Sequence, residues 1–256
     1  MNKDALGDRM KLLERYESGR QFTPLLPICV RLDGKCFSTL TKGLKRPYDE
    51  RLSHLMINVT GALVSMSNAI IGYTQSDEIS LILYSDSYNK QVYFDGKIQK
   101  IVSVLASAAS VMFSSYLKEV IPEKGEDAGL FDCRAWVVPT KMEAVNTLVW
   151  RELDAIKNSV SMAARFHYAH KELHSKNREE MLDMLMRKGV NWNDYPTHFK
   201  RGTYVKRQLI KKATRLNDIF VNRHIVAEYL IPPLSKLSNK EEVIFEGAAP
   251  ATLEVV

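Results

Sequence analysis

The chain has 256 residues, 45% of them hydrophobic, with 36 basic and 30 acidic side chains for a net charge of +6. That length buries one sizeable core, so a single elaborated domain spanning 1–256 is expected. No apolar run approaches the roughly 18 residues of a membrane span, the charged start MNKDALGDRMKLLERYESGR has no signal-peptide stretch, and Cys29, Cys36 and Cys133 are odd in number without CxxC spacing; a cytoplasmic protein without membrane, disulfide framework or structural zinc is expected.

The first predicted element is a helix over residues 1–20, striped by Leu6, Met10 and Leu13. Leu25 to Leu32 is an apolar run bounded by Pro24 and by Asp33-Gly34, which reads as a buried strand ending in a turn. From Glu50 to Asn68, the residues Leu52, Leu55, Met56, Val59, Leu63 and Met66 recur at helical spacing. Two short runs, Ala69 to Thr74 and Ile79 to Tyr84, flank the polar Gln75-Ser76-Asp77-Glu78 and predict a hairpin with acids at its tip. A second amphipathic helix runs through Ile101, Val104, Leu105, Ala108, Val111 and Met112, and Phe131 to Val138 follows as a β-rich run.

The order βαββαβ predicts an α/β, more narrowly α+β, palm-like antiparallel sheet with helices on one face, occupying about residues 25–140. The remainder, about 141–256, is expected to be helical and basic. Thr140 to Glu143 has capping-box spacing ahead of a helix to about Ala169, and a further helix is expected over about Arg178 to Arg187. Gly202 to Val205 suggests a strand before a basic helix; Ile231-Pro232-Pro233 and Gly247 to Pro250 read as loop.

Asp33, at the end of a buried strand and before a glycine, sits where a carboxylate can leave the sheet edge and meet a ligand, with the Gly34 carbonyl equally reachable. Strands one and three of this topology are neighbours, which brings the hairpin-tip acids Asp77 and Glu78 beside it. Hard oxygen donors of this kind suit Mg²⁺, which keeps waters and takes phosphate oxygens. Two such ions would serve an in-line phosphoryl displacement, Glu78 acting on the second ion or in the outer shell. The alternative is that all three acids are turn residues.

Three linked segments carry a resemblance: Val30 to Phe37 (VRLDGKCF), then Lys45-Arg46-Pro47 with Asp49, then Gly72 to Ser80 (GYTQSDEIS). Together with Phe131-Asp132-Cys133-Arg134, Trp150-Arg151 and Lys200 to Thr203, they make the chain similar to the tRNA(His) guanylyltransferase family over roughly residues 25–205. The resemblance implies an enzyme that adds nucleotides to the 5′ end of tRNA in the 3′-to-5′ direction, with ATP and GTP as substrates and two Mg²⁺ ions. It implies Asp33, Gly34 and Asp77 as metal ligands with Glu78 supporting. Triphosphate-binding places fall on Ser76, Arg46 or its neighbour Lys45, Asp49, Lys97 and Lys100. A homotetramer is implied as well.

After Trp150-Arg151 the chain departs from the HINxxxN-like segment of the guanylyltransferase branch: the histidine is absent, and only Asn158 corresponds. With Gly189 to Pro196, this resembles the template-dependent, tRNA-repair type of relative more closely. Between Asp194 and Asp218 no acid interrupts Lys200, Arg201, Lys206, Arg207, Lys211, Lys212 and Arg215, a block suited to a phosphate backbone or to a solvated helix face. Arg134, Arg151, Asn158, Lys200, Arg201, Lys206, Arg207 and Lys211 are the expected tRNA-binding residues. His167, His170 and His174 lack a closed ligand set and read as a solvated or RNA-facing stripe rather than a zinc site. Trp150, Trp192, Tyr195 and Tyr204 receive no role. Two rivals stay open: a palm-domain nucleotide cyclase or conventional 5′-to-3′ polymerase, because the same carboxylates serve all of these reactions, and a non-catalytic tRNA-binding protein.

Overall fold

A computed structural model describes residues 5–213 and 220–253, with side chains left undescribed for residues 209–224. The helices are α1 (Ala5–Ser18), α2 (Phe37–Leu40), α3 (Glu50–Ser67), α4 (Ile98–Val120), α5 (Lys141–His167), α6 (His170–Leu173), α7 (Arg178–Arg187), α8 (Thr197–Arg201) and α9 (Lys240–Phe245). The strands β1 (Ile28–Lys35), β2 (Ile71–Gln75), β3 (Glu78–Leu83), β4 (Leu130–Val137), β5 (Thr203–Ala213) and β6 (Phe220–Glu228) form one sheet in the order β4-β1-β3-β2-β5-β6. All of its pairings are antiparallel.

Strand alternation sorts the side chains to two faces. Ile28, Val30 and Leu32 of β1 join Ile79, Leu81 and Leu83 of β3 under α3 and α4, where Leu55, Val59, Leu63, Ile101, Leu105 and Phe113 complete the core. Cys29, Tyr73 and Ile82 point the other way and meet Ala144, Val145 and Leu148 of α5 and Val243 and Ile244 of α9. The βαββαβ order and its helix face are thus as expected, while α5 and α9 cover the opposite face and make three layers. Thr140 caps α5 by accepting the Glu143 amide at 3.1 Å.

Two expectations are corrected. The basic segment after Val205 is no helix: β5 continues to Ala213 and pairs with β6 from Val205↔Glu228 to Ala213↔Phe220. The second half is therefore helical as far as α8 and again at α9, and the hairpin between them widens the sheet. A strand needs a distant partner, and Phe220 to Glu228, rich in the β-favouring residue types Phe, Val and Ile, supplies it. Lys211 and Lys212 lie in β5 by backbone with side chains outside the described set, and Arg215 lies outside the described residues. Second, α4 has the length and hydropathy of a membrane span, although no apolar run of that size was expected. Ser103, Ser107, Val111 and Ser115 occupy its exposed side and keep charge out of most of the helix, while Ile101, Leu105, Ala109, Phe113 and Leu117 form the stripe packed on the sheet.

Candidate active site

β1 and the β2–β3 turn meet at one end of the sheet. The register sets Asp33 between Asp132 of β4 and Glu78 of β3, and alternation from Cys29 puts Arg31 and Asp33 on the α5 side. The turn is only Ser76-Asp77, with Ser76 at φ 51°, and the Asp77 carbonyl accepts the Gly34 amide at 3.1 Å, tying turn to strand. A Cβ on Gly34 would stand 2.4 Å from the Phe37 ring. Only glycine therefore lets Phe37 tuck beneath the strand against Phe113 and Phe131, with ring centroids 4.9 and 5.2 Å away.

Burial pushes the Asp77 carboxyl above its usual value, and the negative charge of Asp33 adds to the push. Among the described residues neither aspartate is in an ion pair, so their mutual repulsion has no internal cation to relieve it. Glu78 differs. Both its oxygens accept from Arg151, from Nε at 2.6 Å and Nη2 at 2.8 Å, and Arg151 reaches Asp154 at 3.0 Å. Burial raises the Glu78 carboxyl while the guanidinium opposes it. No cluster of three or more His, Cys, Asp or Glu suited to a metal occurs among the described residues. Two carboxylates and a strand-end carbonyl nevertheless suit Mg²⁺, which binds through one or two carboxylates and completes its shell with water and phosphate.

Asp77 opens onto a cleft of about 490 Å³ between the loop 41–49, the start of α3, the outer half of α5 and α8. Lys45, Arg46, Ser76 and Asn158 line it, so these sequence-selected residues share one space with Asp77. That volume falls in the usual range of small-molecule sites, roughly 300–1,000 Å³. Asp49 also lines the cleft, but its carboxylate caps α3 at the Arg51 amide (3.0 Å) and holds the Arg51 guanidinium (3.1 and 2.9 Å). The Arg51 side chain keeps the Asp49 carboxyl below its ordinary range; it is a helix anchor first.

Lys97 and Lys100 are not brought to this end. β3 leaves the site at Glu78 and finishes beside Ile28 at Leu83, and α4 begins at that far end, where Lys97 bridges Gln21 and Lys100 lies 5.9 Å from the Phe94 ring. The topology that unites Asp33 with Asp77 thus separates both lysines from them by the length of the sheet.

Most expected RNA-binding cations have internal partners. Arg151 holds Glu78; Arg201 donates to Glu152 at 2.8 Å and to the Ile231 carbonyl at 2.6 Å. Lys206 caps the end of α9 through the Ile244 and Val243 carbonyls at 2.7 and 3.2 Å, and burial pushes its ammonium down. Arg207 donates to Asn68 Oδ1 at 2.5 Å and to the Ser65 carbonyl at 3.1 Å, closing α3. Lys200 donates to the Asn193 carbonyl at 2.5 Å, and Arg134 pairs with Asp132 at 3.3 Å on the surface.

Sequence reasoning passed over an aromatic wall of the cleft. Tyr48 stacks on Phe199 at 4.8 Å, with His198 and Tyr195 at 5.4 and 6.1 Å. Burial, helped by the charge of His54, holds His198 below its ordinary value, so the wall is uncharged at neutral pH. No periodicity links Tyr48 to residues 195–199; only the fold joins them. Trp192 donates Nε1–H to Ser159 at 3.2 Å, the packing role that sequence alone favours.

Comparison with known proteins gives a consistent result. Residues 8–139 match the family model described as Thg1, tRNAHis guanylyltransferase. The chain is 30% identical over 244 residues to the uncharacterized protein R259 of Acanthamoeba polyphaga mimivirus, covering 86% of this chain and 82% of the relative. Its fold matches a bacterial tRNA(His) guanylyltransferase (Thg1)-like protein in complex with ATP, with a TM-score of 0.81, 34% identity and coverage of 94% and 98% of the two chains. A bacterial Thg1-like protein in complex with GTP matches with a TM-score of 0.78 and 32% identity over the same shares.

Proposed function

This chain belongs to the tRNA(His) guanylyltransferase family of tRNA nucleotidyltransferases, and from that premise we propose that it adds nucleotides to the 5′ end of tRNA in the 3′-to-5′ direction, using ATP or GTP to activate the end. The observation that carries the reading is the meeting of Asp33 with Asp77, neither ion-paired among the described residues, where Asp77 opens onto a cleft lined by Lys45 and Arg46. Two carboxylates in that state need external positive charge, and a triphosphate needs the lysine and arginine.

The chemistry divides into two displacements. The 5′-monophosphate of tRNA attacks the α-phosphate of ATP or GTP, forming a 5′-nucleotidyl cap and releasing pyrophosphate. The 3′-hydroxyl of a second NTP then attacks the 5′ phosphate and displaces the nucleoside monophosphate. Asp33, the Gly34 carbonyl and Asp77 would hold Mg²⁺, which supplies charge neutralisation at the attacking and leaving oxygens when bound. Lys45, Arg46 and Ser76 bind and orient the triphosphate, and the Tyr48–Phe199 wall offers a flat face to a base. Glu78, fixed by Arg151 and paired in register with Asp33, keeps the tip of the hairpin in place so that Asp77 stays beside Asp33.

Asn158 lines the cleft without the histidine of the guanylyltransferase pattern, which supports template-dependent 5′-end repair over non-templated G addition. A cytoplasmic homotetramer, with residues 25–140 as palm and the rest gripping tRNA, belongs to the same reading. The test is incorporation of radiolabelled NTP into a 5′-truncated tRNA. Wild-type protein lengthens the 5′ end in a Mg²⁺-dependent way, and Asp77→Asn lowers the rate by ~100-fold or more, the scale of the several kcal/mol a metal supplies. Extension at the 3′ end, cyclic nucleotide as the product, or full activity in Asp77→Asn overturns the proposal.

A further inference from the structure

With Arg151, Arg201, Lys206 and Arg207 engaged internally, further cations next to the cleft, beyond Lys45 and Arg46, lie on the outer face of α5. Lys157, Ser161 and Arg165 follow one another at four-residue steps along one side of that helix and line the cleft. Ser161 and Arg165 also line a neighbouring hollow of about 170 Å³ with His170, His174 and Ser175. The two hollows meet at Ser161 and Arg165, giving a trench that starts at Asp77 and ends on the turn following α6.

Lys157, Arg165, His170 and His174 are all exposed, and their side chains make no hydrogen bond or ion pair among the described residues. No acid lines the outer hollow, and in the inner one the Asp49 charge is matched by Arg51. Among the described residues that line the trench, Asp77, at its chemical end, is the acid without an ion-pair partner. Lys157 to Arg165 spans roughly 12 Å of helix at 1.5 Å per residue, enough for more than one phosphate.

We infer that this trench carries the sugar–phosphate backbone of the RNA strand whose 5′ end enters the cleft. Lys157 and Arg165 neutralise phosphates, and His170 and His174, which present an N–H donor in either protonation state, extend the row outward. The inference rests on the proposed function and states where that site grips its polymer. Unpaired donors complement a polyanion, the nearby acids Asp154 and Glu172 being held by Arg151 and by the Ala169 amide, and the row leads directly to the aspartates.

The test compares wild type with Arg165→Gln/His170→Gln/His174→Gln and with Arg165→Lys. Anisotropy with labelled 5′-truncated tRNA, from 50 to 200 mM salt, gives affinity and salt slope, and calorimetry gives the ATP affinity. The triple variant should weaken tRNA binding roughly tenfold and flatten the salt slope by about one per lost phosphate contact, with ATP affinity held within about twofold. Arg165→Lys should keep the wild-type slope. All three side chains are exposed, and an unchanged circular dichroism melt confirms folding. A folded triple variant that binds tRNA with wild-type affinity and slope overturns the trench and leaves the function standing. Equal losses for ATP and tRNA assign the row to the nucleotide and also overturn it. A wild-type protein that binds ATP but not tRNA overturns the proposed function itself.

Discussion

Arg151 and Glu78 show how one residue pair fixes the chemistry of its neighbours. Their side chains are 9% and 8% exposed and joined by a two-pronged bond. Removing the guanidinium leaves a buried carboxylate without its partner, so Arg151→Ala should cost about 3–5 kcal/mol in urea unfolding. In that variant burial, with the Asp33 charge adding to it and only the Arg31 charge opposing, holds the folded-state value of Glu78 above the unfolded one. The native state then binds more protons than the unfolded state, and stability falls as pH rises through that interval. The deficit against wild type should accordingly be smaller near the ordinary glutamate value of 4.5 than at neutral pH, and a deficit that does not shrink on acidification would show that the carboxylate finds another partner. At this scale the placement of Asp33, Gly34 and Asp77 was legible in the sequence, because a strand end and a tight turn are local signals. It was not legible for Arg151 or Arg201, whose acidic partners lie 73 and 49 residues away in the chain.

Single elements divide along the same line. The helix α3, the β2–β3 hairpin, α5 with its Thr140 cap and α7 are all visible as periodicity and caps, which depend on neighbours in sequence. The basic strand β5 was not visible, since Lys206, Arg207, Lys211 and Lys212 suit a helix surface as well as a strand and pairing with β6 is decided across the hairpin. The helix α5 joins the two kinds of information. Its periodic apolar side packs on the sheet, and Glu152, 1% exposed, reaches from it to Arg201 at 2.8 Å and to the Leu234 amide at 2.8 Å. This one carboxylate ties α5 to α8 and to the segment after β6. Glu152→Ala should lower global stability by about 3–5 kcal/mol, the loss expected when a buried charge pair is broken. Hydrogen exchange localises the effect: the Leu234 amide should exchange much faster in the variant, while amides in β1 and β3 slow to the level of global unfolding in both proteins.

For the whole molecule, the net charge of +6 says less than where its members are held. Within the basic block that suggests a phosphate-binding surface in sequence, two described members serve as caps: Lys206 on the end of α9 and Arg207 on the end of α3. The unpaired cations near Asp77 are Lys45 and Arg46 and, further out, those on α5 and beyond, where interleaved acids dilute them in the sequence. The two groups should therefore separate by experiment. Lys206→Met/Arg207→Gln leaves terminal carbonyls of two helices without their donors and should destabilise the fold by roughly 1–3 kcal/mol. The same variant should bind 5′-truncated tRNA with wild-type affinity and salt slope at temperatures where it is folded, because neither side chain is free to meet a phosphate. A slope flattened by about two would instead mean that both side chains leave their helix ends for the RNA backbone, and the inward capping seen here would then describe only the RNA-free protein.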